Sequence, residues 1–308
     1  MKISPAKNSS LYAWLQLIRL PNILTAVGDP LSGLFLAAAV RNTKPGLWAI
    51  IVVPLAVIAL YVFGMVANDI CDFKKDSRQR PERPLPAQRI SLTAARAGAF
   101  LACLAGLTLA LTLGRNGFVT AIMLVLLILA YNLGFKKHSL YGPVAMGLCR
   151  GFSFLLGASV FTWPLSTLVI AAMLTGYVAA VTYIATFENR GHRYGREAAL
   201  PFMFVLGILL ACVVAAWAHS TVFGRVAGML VFVVSITLSG IVFRELTMRR
   251  AAPADIQRAV GILLRNLLLI QAGLLFIAPP LLATVCGILV LLMLYPANVM
   301  LGKKFYAT

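Results

Sequence analysis

Apolar stretches long enough to cross a lipid bilayer recur from near residue 22 almost to the C-terminus. A helix needs about 20 mainly apolar residues to span the hydrocarbon core, and no segment between these stretches is long enough for a soluble domain. Of the 308 residues, 61% are hydrophobic and 12% are charged, whereas soluble domains are roughly 45–50% apolar. The pattern predicts an all-α, polytopic transmembrane helical bundle that forms a single domain over residues 1–308.

We place ten spans, although nine are also compatible with the pattern. The ninth is open to a second interpretation: because Arg258 and Arg265 lie on its first two turns, it could begin as an interfacial amphipathic helix. The first stretch contains Asp29 and Pro30 and lacks a small-residue cleavage pattern, so we interpret it as a retained span and not as a signal peptide. The predicted spans cover roughly residues 22–40, 47–67, 93–113, 117–135, 141–162, 166–187, 198–217, 222–243, 259–278 and 281–301.

The net charge of +18 comes mostly from Lys and Arg residues in the short loops between the spans. Of the 27 lysines and arginines, 21 fall on the side of the N-terminal tail, the even-numbered loops and the C-terminal tail, and four fall on the other side. Short loops rich in Lys and Arg stay in the cytoplasm. We therefore expect an integral protein of a bacterial cytoplasmic membrane, with its N-terminus and the polar loops 68–92 and 188–197 in the cytoplasm, and we expect no nucleic-acid partner.

Four of the nine acidic residues fall within fourteen residues: Asp69, Asp72, Asp76 and Glu82. If the second span continues as a helix, Asn68, Asp72 and Asp76 stack on one face at i, i+4 and i+8. Like charges at this spacing repel unless a cation lies between them, and Mg²⁺ prefers such oxygen ligands. The spacing indicates a magnesium site; the alternative is a solvated loop whose acids balance Lys74, Lys75 and Arg78.

The next segment, residues 78–86, combines three arginines with three prolines. Because proline fixes φ and removes a donor, we expect an extended, stiff loop. Its arginines, among them Arg78 and Arg83, could bind phosphate oxygens in bidentate fashion. The alternative is a basic loop that only marks the inner face.

Together these motifs resemble the first aspartate-rich motif of the UbiA superfamily of intramembrane prenyltransferases. The matching residues are Asn68-Asp69-x-x-Asp72-x-x-x-Asp76, followed by Arg80-Pro81-Glu82-Arg83-Pro84-Leu85-Pro86. Arg19-Leu20-Pro21-Asn22, and Tyr131 ahead of Lys136 and Lys137, resemble the family as well. The resemblance implies that Asn68, Asp72 and Asp76 bind Mg²⁺ and the diphosphate of a polyprenyl donor, with Asp72 and Asp76 catalytic. Arg78, Arg83, Lys136 and Lys137 are then candidate diphosphate ligands.

A second aspartate-rich motif is expected after the sixth span, but residues 183–197 contain no aspartate. One register places Asn189, His192 and Arg196 where carboxylates usually stand, and another leaves Glu188 as the only metal ligand. Arg190 and Arg193, with Arg196, could neutralise the diphosphate instead; alternatively, these cations only mark the inner face. This departure, with the segment from Tyr141 to Gly151, looks most like the EboC-type branch of UbiA-like proteins.

Polar residues inside the predicted spans are a further group of site candidates. Asn22 and Asp29 lie two helical turns apart on one face. Since an acid at the helix centre costs on the order of 2.5–3.5 kcal/mol, Asp29 should face a cavity or a cation. It is a candidate catalytic or acceptor-contacting residue, or else the partner of a buried cation such as Arg150. Arg150 is also a candidate diphosphate ligand. Tyr131 and Asn132 are weaker cavity candidates.

The predicted function is magnesium-dependent transfer of a prenyl group from a prenyl diphosphate donor to a small-molecule or lipid acceptor, in a cavity open to the cytoplasmic leaflet. Membrane lipid is the other expected partner. A CDP-alcohol phosphotransferase would need an Asp-Gly pair, which the chain lacks. The missing second aspartate motif leaves a carrier or flippase-like homologue as the alternative.

Overall fold

The computed structural model describes residues 9–216, 221–248 and 250–277, together with residues 285, 288 and 296. These ranges fold into α-helices, and they contain no β-sheet. The helices are α1 (Ser10–Leu17), α2 (Leu20–Ala26), α3 (Gly28–Val40), α4 (Leu47–Gln79), α5 (Leu92–Leu111), α6 (Arg115–Leu133), α7 (Tyr141–Ala158), α8 (Leu165–Ala185), α9 (Leu200–Ala216), α10 (Val222–Met248) and α11 (Pro253–Ile277). The predicted all-α class is confirmed.

Eight helices, α4 to α11, are long and apolar enough to cross a membrane, and α3 is a shorter apolar helix. Their outer surfaces expose large apolar side chains that suit contact with lipid, such as Leu101 at 62% and Val214 at 89% exposure. The chain is therefore an integral, multi-pass membrane protein. Each of the first nine predicted spans coincides with a helix, the first of them with α2 and α3 together. The predicted tenth span, 281–301, lies outside the described residues except for three single positions.

The first span is broken between α2 and α3, which the sequence analysis did not predict. Pro30 has no N–H to donate to the carbonyl four residues earlier, so the backbone ladder is interrupted at this point. At the last residue but one of α2, the Thr25 carbonyl accepts hydrogen bonds from the side chains of Arg150 and Gln271 at 2.8 and 2.9 Å. The break thus places a backbone carbonyl next to polar side chains of α7 and α11.

Close contact between α3 and α7 depends on glycine. A Cβ atom on Gly33 would lie 2.0 Å from the Phe154 carbonyl oxygen, and one on Gly157 would lie 1.8 Å from the Pro30 carbonyl oxygen. Small residues let two transmembrane helices approach until their backbones touch. This contact fixes α3, with Asp29, against α7, with Arg150.

Helix α4 has 33 residues, about 50 Å at 1.5 Å per residue, whereas the hydrocarbon core is about 30 Å thick. Its last turns therefore carry Asn68, Asp72 and Asp76 beyond the apolar region on a continuous helix, as predicted. The following proline-rich loop is not extended. It forms consecutive turns, with hydrogen bonds from Arg83 N to Arg80 O and from Ala87 N to Arg83 O, because the φ of proline also suits β-turns.

Candidate active site

Asn68 and Asp72 share one cation at the end of α4. Lys136, from the 3₁₀ turn that follows α6, places its Nζ atom 2.8 Å from Asp72 Oδ1 and 3.1 Å from Asn68 Oδ1. The helical i, i+4 spacing aligns the two oxygens on one face. The side chains of Asp72 and Lys136 are 24% and 14% exposed, so this ion pair is half-buried and reachable from the aqueous side.

A second ion-pair group lies beside the first. Arg83 Nη1 contacts Asp76 Oδ2 at 2.7 Å and Asp69 Oδ1 at 3.8 Å, and Arg19 Nη2 lies 3.6 Å from Asp69 Oδ1. Both carboxylates are buried, and buried charges need such partners. The prolines on both sides of Arg83 hold the loop in its turns, so the arginine is presented back to α4. Arg78 and Lys137, by contrast, are exposed at the same end of the molecule.

The oxygen donors on α4 fit a magnesium ion that is held largely by a phosphate ligand. No three Asp, Glu, His or Cys side chains of the described ranges come close enough to hold a metal by themselves. Mg²⁺, however, is usually held by one or two carboxylates together with substrate phosphates and water. The Lys136 ammonium already lies between Asn68 Oδ1 and Asp72 Oδ1, which marks this point as a place where a cation is stabilised.

An apolar cavity extends from Asn68, which lies beside these acids, into the bundle. Its empty volume is about 590 Å³, part of it open to the surroundings. The part of α4 that lines the cavity runs from Val57 to Asn68. These two residues are eleven positions apart, which is about 16 Å along the helix. The lining residues are Ala26, Val57, Tyr61, Gly64, Met65, Asn68, Leu124, Ile128, Tyr131, Asn132, Met146, Cys149, Arg150 and Ser153.

Asp29 is fully buried and forms an ion pair with Arg150. Arg150 Nε lies 2.9 Å from Asp29 Oδ2, and Gln271 Nε2 donates to Asp29 Oδ1. Arg150 also lines the cavity, whereas Asp29 and Asn22 are not among its lining residues. Of the two environments expected for Asp29, the structure places it beside a buried cation. The roles of Asp29 in catalysis and of Asn22 and Asp29 in substrate binding stay predictions.

The loop after α8 is tied to the connection between α10 and α11. The backbones of His192 and Ala251 exchange two hydrogen bonds, at 3.1 and 2.8 Å, and the His192 ring stacks on Phe187 with 4.0 Å between centroids. Burial raises the pKa of the Tyr194 phenol above its usual range, so the phenol stays protonated and donates to the Ile184 carbonyl. These contacts give the loop a defined conformation although it carries no aspartate.

The predicted residues of this loop do not contact the α4 acids. Glu188 is half-buried in the turn that follows α8, and Arg190 and Arg193 are exposed. Arg193 lines a separate cleft with His192 and Arg250. Across the part of the chain that the structure describes, no ion pair joins these side chains to Asp72 or Asp76. Their roles as metal or diphosphate ligands therefore stay predictions.

Sequence reasoning missed the partners of the acids more than the acids themselves. Gln271 was not singled out, although a polar residue inside an apolar span is a signal of function or pairing. Asp69 was noted only as part of the motif, yet it is bridged by Arg19 and Arg83. Asn132 was rated a weak candidate, and the structure places it in the cavity wall.

The bundle thus combines an apolar cavity that has Asn68 in its wall with the Asp72–Lys136 ion pair beside Asn68. The model of the UbiA prenyltransferase family matches residues 30–268. The chain belongs to this family. The EboC-type branch is not confirmed by the comparisons and stays a prediction.

Curated relatives of this UbiA family member include two archaeal proteins named digeranylgeranylglyceryl phosphate synthase. The one from Methanococcus maripaludis is 31% identical over 150 residues, covering 47% of this chain and 51% of the relative. The one from Sulfurisphaera tokodaii is 27% identical over 189 residues, covering 58% and 65%. The chain thus matches about half to two thirds of the length of these relatives.

Solved structures share the fold. A structure described as digeranylgeranylglyceryl phosphate synthase in membranes has a TM-score of 0.64 at 18% identity, and covers 91% of this chain and 99% of its own. A UbiA homologue from Archaeoglobus fulgidus bound to GPP and Mg²⁺ has a TM-score of 0.59 at 16% identity, and covers 90% and 99%. At these identities the likeness shows the UbiA fold.

Proposed function

We propose that this protein transfers a prenyl group from a prenyl diphosphate to an acceptor inside the membrane. The observation that carries the proposal is the half-buried group of Asn68, Asp72 and Lys136 at the rim of an apolar cavity. A polar, cation-binding rim above an apolar interior matches a donor that has a charged diphosphate head and a hydrocarbon tail. The relatives named as synthases and the A. fulgidus homologue bound to GPP and Mg²⁺ support the same reading.

Each residue group has a role in this reaction. Asn68, Asp72 and Asp76 would hold magnesium, which, when bound, stabilises the charge of the leaving diphosphate. Lys136 and Arg83 neutralise diphosphate oxygens, since both are already placed among the α4 acids. The apolar wall excludes water, so that the donor carbon reacts with the acceptor and is not hydrolysed. Preorganised charge of this kind is usually the largest contribution to such catalysis.

The names of the relatives support a glycerophosphate-type acceptor. In that case the allylic C–O bond of the donor breaks, the diphosphate leaves with the electron pair, and an acceptor oxygen forms the new ether bond. The acceptor proton leaves with the released diphosphate. We further infer that residues 1–308 act as one UbiA-like domain in a bacterial cytoplasmic membrane, with the rim of the site facing the cytoplasm.

The test is release of diphosphate by the purified protein in lipid nanodiscs. GPP and geranylgeranyl diphosphate serve as donors, a glyceryl phosphate bearing one prenyl ether serves as acceptor, and magnesium is varied. We expect diphosphate release that requires both acceptor and magnesium, with the ether product identified by mass spectrometry. Transport of a prenyl-linked lipid across the bilayer without any diphosphate release would instead support the carrier alternative.

A further inference from the structure

Asn132 lies in the cavity wall just below the charged rim. It is the last residue but one of α6, is 5% exposed and lines the cavity. Its Nδ2 atom donates to the Gly64 carbonyl oxygen at 3.4 Å. Gly64 precedes Asn68 by four residues, so Asn132 meets α4 about 6 Å below the rim group.

The Asn132 amide has only one orientation that satisfies Gly64. A backbone carbonyl accepts hydrogen bonds and cannot donate them, so the amide nitrogen must face Gly64. The Oδ1 atom is then left buried and without a hydrogen-bond partner among the described residues. A buried, unpartnered acceptor costs about 1–3 kcal/mol, and such a group in a native structure calls for an explanation such as a ligand.

Three other polar side chains of the cavity wall have partners within the protein. The Ser153 hydroxyl donates to the Cys149 carbonyl at 2.8 Å, and the Arg150 guanidinium is held by Asp29 and by the Thr25 carbonyl. Asn68 accepts from Lys136. Unlike these three side chains, Asn132 keeps a buried acceptor oxygen that has no hydrogen-bond partner among the described residues.

We propose that Asn132 Oδ1 accepts a hydrogen bond from the nucleophilic hydroxyl of the prenyl acceptor, which makes that acceptor an alcohol. This inference rests on the proposed function. With the donor diphosphate at Asn68 and Lys136, the first donor carbon lies just below the rim, at the level of Asn132. An amide oxygen does not take a proton at neutral pH, so Asn132 orients the hydroxyl while its oxygen attacks that carbon. The donor C–O bond breaks, and the proton leaves with the diphosphate.

The experiment compares two probes on two proteins. The probes are a glyceryl phosphate bearing one geranylgeranyl ether, and the same molecule with its free hydroxyl replaced by hydrogen. Their binding to the full-length protein is measured with a non-reactive donor analogue and magnesium present. In the unmodified protein we expect the hydroxyl probe to bind about tenfold more tightly, which corresponds to one hydrogen bond. In Asn132→Leu this advantage should disappear.

Kinetics supply the second readout. For Asn132→Leu, kcat/KM for the acceptor should fall about 10- to 100-fold, while the donor affinity stays within about twofold. Thr237→Ala on α10 is the matched control, because this exposed hydroxyl bonds to the Val233 carbonyl of its own helix and does not line the cavity, and it should change neither quantity. If Asn132→Leu does not fold, Asn132→Ala is judged by the same criteria.

Two outcomes would overturn the inference. One is a hydroxyl advantage that persists in the Asn132 variant, and the other is an equal loss of donor and acceptor affinity, which would indicate a merely structural role. Both leave the proposed prenyl transfer intact as long as diphosphate release continues. Absence of acceptor-dependent diphosphate release from the unmodified protein would instead refute the proposed function.

Discussion

At the scale of single residues, removal of the Asp72 carboxylate should lower catalysis and leave folding unchanged. Asp72 lies at the rim in a half-buried ion pair with Lys136, and it is not one of the buried residues. We expect Asp72→Ala to reduce diphosphate release at least 100-fold at limiting magnesium, with an unchanged unfolding temperature. Ser77→Ala on the same helix is the control, since its exposed hydroxyl bonds only to the Phe73 carbonyl. Near-normal turnover of Asp72→Ala would show that the metal assignment is wrong.

For the buried Asp29–Arg150 pair, by contrast with Asp72, the prediction concerns the stability of the fold. Asp29→Ala leaves the Arg150 guanidinium buried without its carboxylate, and breaking a buried pair in this way costs about 3–5 kcal/mol. The double variant Asp29→Asn with Arg150→Met should recover part of this loss, because no uncompensated charge remains. Unfolding by denaturant in detergent micelles measures both variants.

The control for this pair is Arg41→Ala. Arg41 bonds to Thr162 at an exposed site, and surface changes stay within about 0.5 kcal/mol. A loss for Asp29→Ala no larger than that of the control would mean that water or lipid headgroups reach the pair.

Spacing could predict the acids but not all of their partners. Asn68, Asp72 and Asp76 are local on one helix, so the helical repeat alone aligns them. Lys136 lies 64 residues beyond Asp72 in the chain, and only the family resemblance suggested a shared site. Gln271 reaches Asp29 across 242 residues, and no local pattern contains that contact.

At the scale of elements, the contact of α3 with α7 should be the most sensitive to added volume. We expect Gly157→Val to destabilise the protein by about 3 kcal/mol or more, because its side chain would collide with the Pro30 backbone, which cannot move aside as a side chain could. The unfolding temperature in detergent and the yield of inserted protein measure this effect. Gly46→Ala is the control, since a Cβ there meets nothing within 4 Å. Equal behaviour of the two variants would contradict the close packing.

Helices were predictable wherever the length of an apolar stretch alone requires a helix. A stretch of about 20 apolar residues must form a helix in a bilayer, since its backbone groups find no other partners. The break after Ala26 was not predictable in this way, because the Thr25 carbonyl beside it is satisfied by Arg150 and Gln271 from distant helices. The proline-rich loop was expected to be extended, but proline suits both extended and turn conformations, and the ion pair of Arg83 with Asp76 belongs to the turn.

At the scale of the whole molecule, the contacts between loops agree with the two faces read from the charges. Lys136 meets Asp72 at one end of the bundle, and the loop of His192 pairs with Ala251. Arg41 meets Thr162, from two loops assigned to the opposite face. None of these contacts joins a loop of one face to a loop of the other. The grouping supports the predicted order of spans, while the side of the membrane on which each face lies still depends on the distribution of Lys and Arg.

That orientation is the last prediction. Because Lys- and Arg-rich short loops are retained in the cytoplasm, single cysteines that replace Lys75, Lys137, Arg193 or Arg250 should resist an impermeant maleimide added outside intact bacterial cells. They should react after the membrane is permeabilised. The background is a variant whose five native cysteines are replaced by serine. Lys44→Cys, in an exposed loop of the other face, is the positive control and should react from outside. Labelling of even one of the four positions in intact cells, with Lys44→Cys protected, would invert the orientation and move the diphosphate site to the outer leaflet, away from any cytoplasmic supply of prenyl diphosphate.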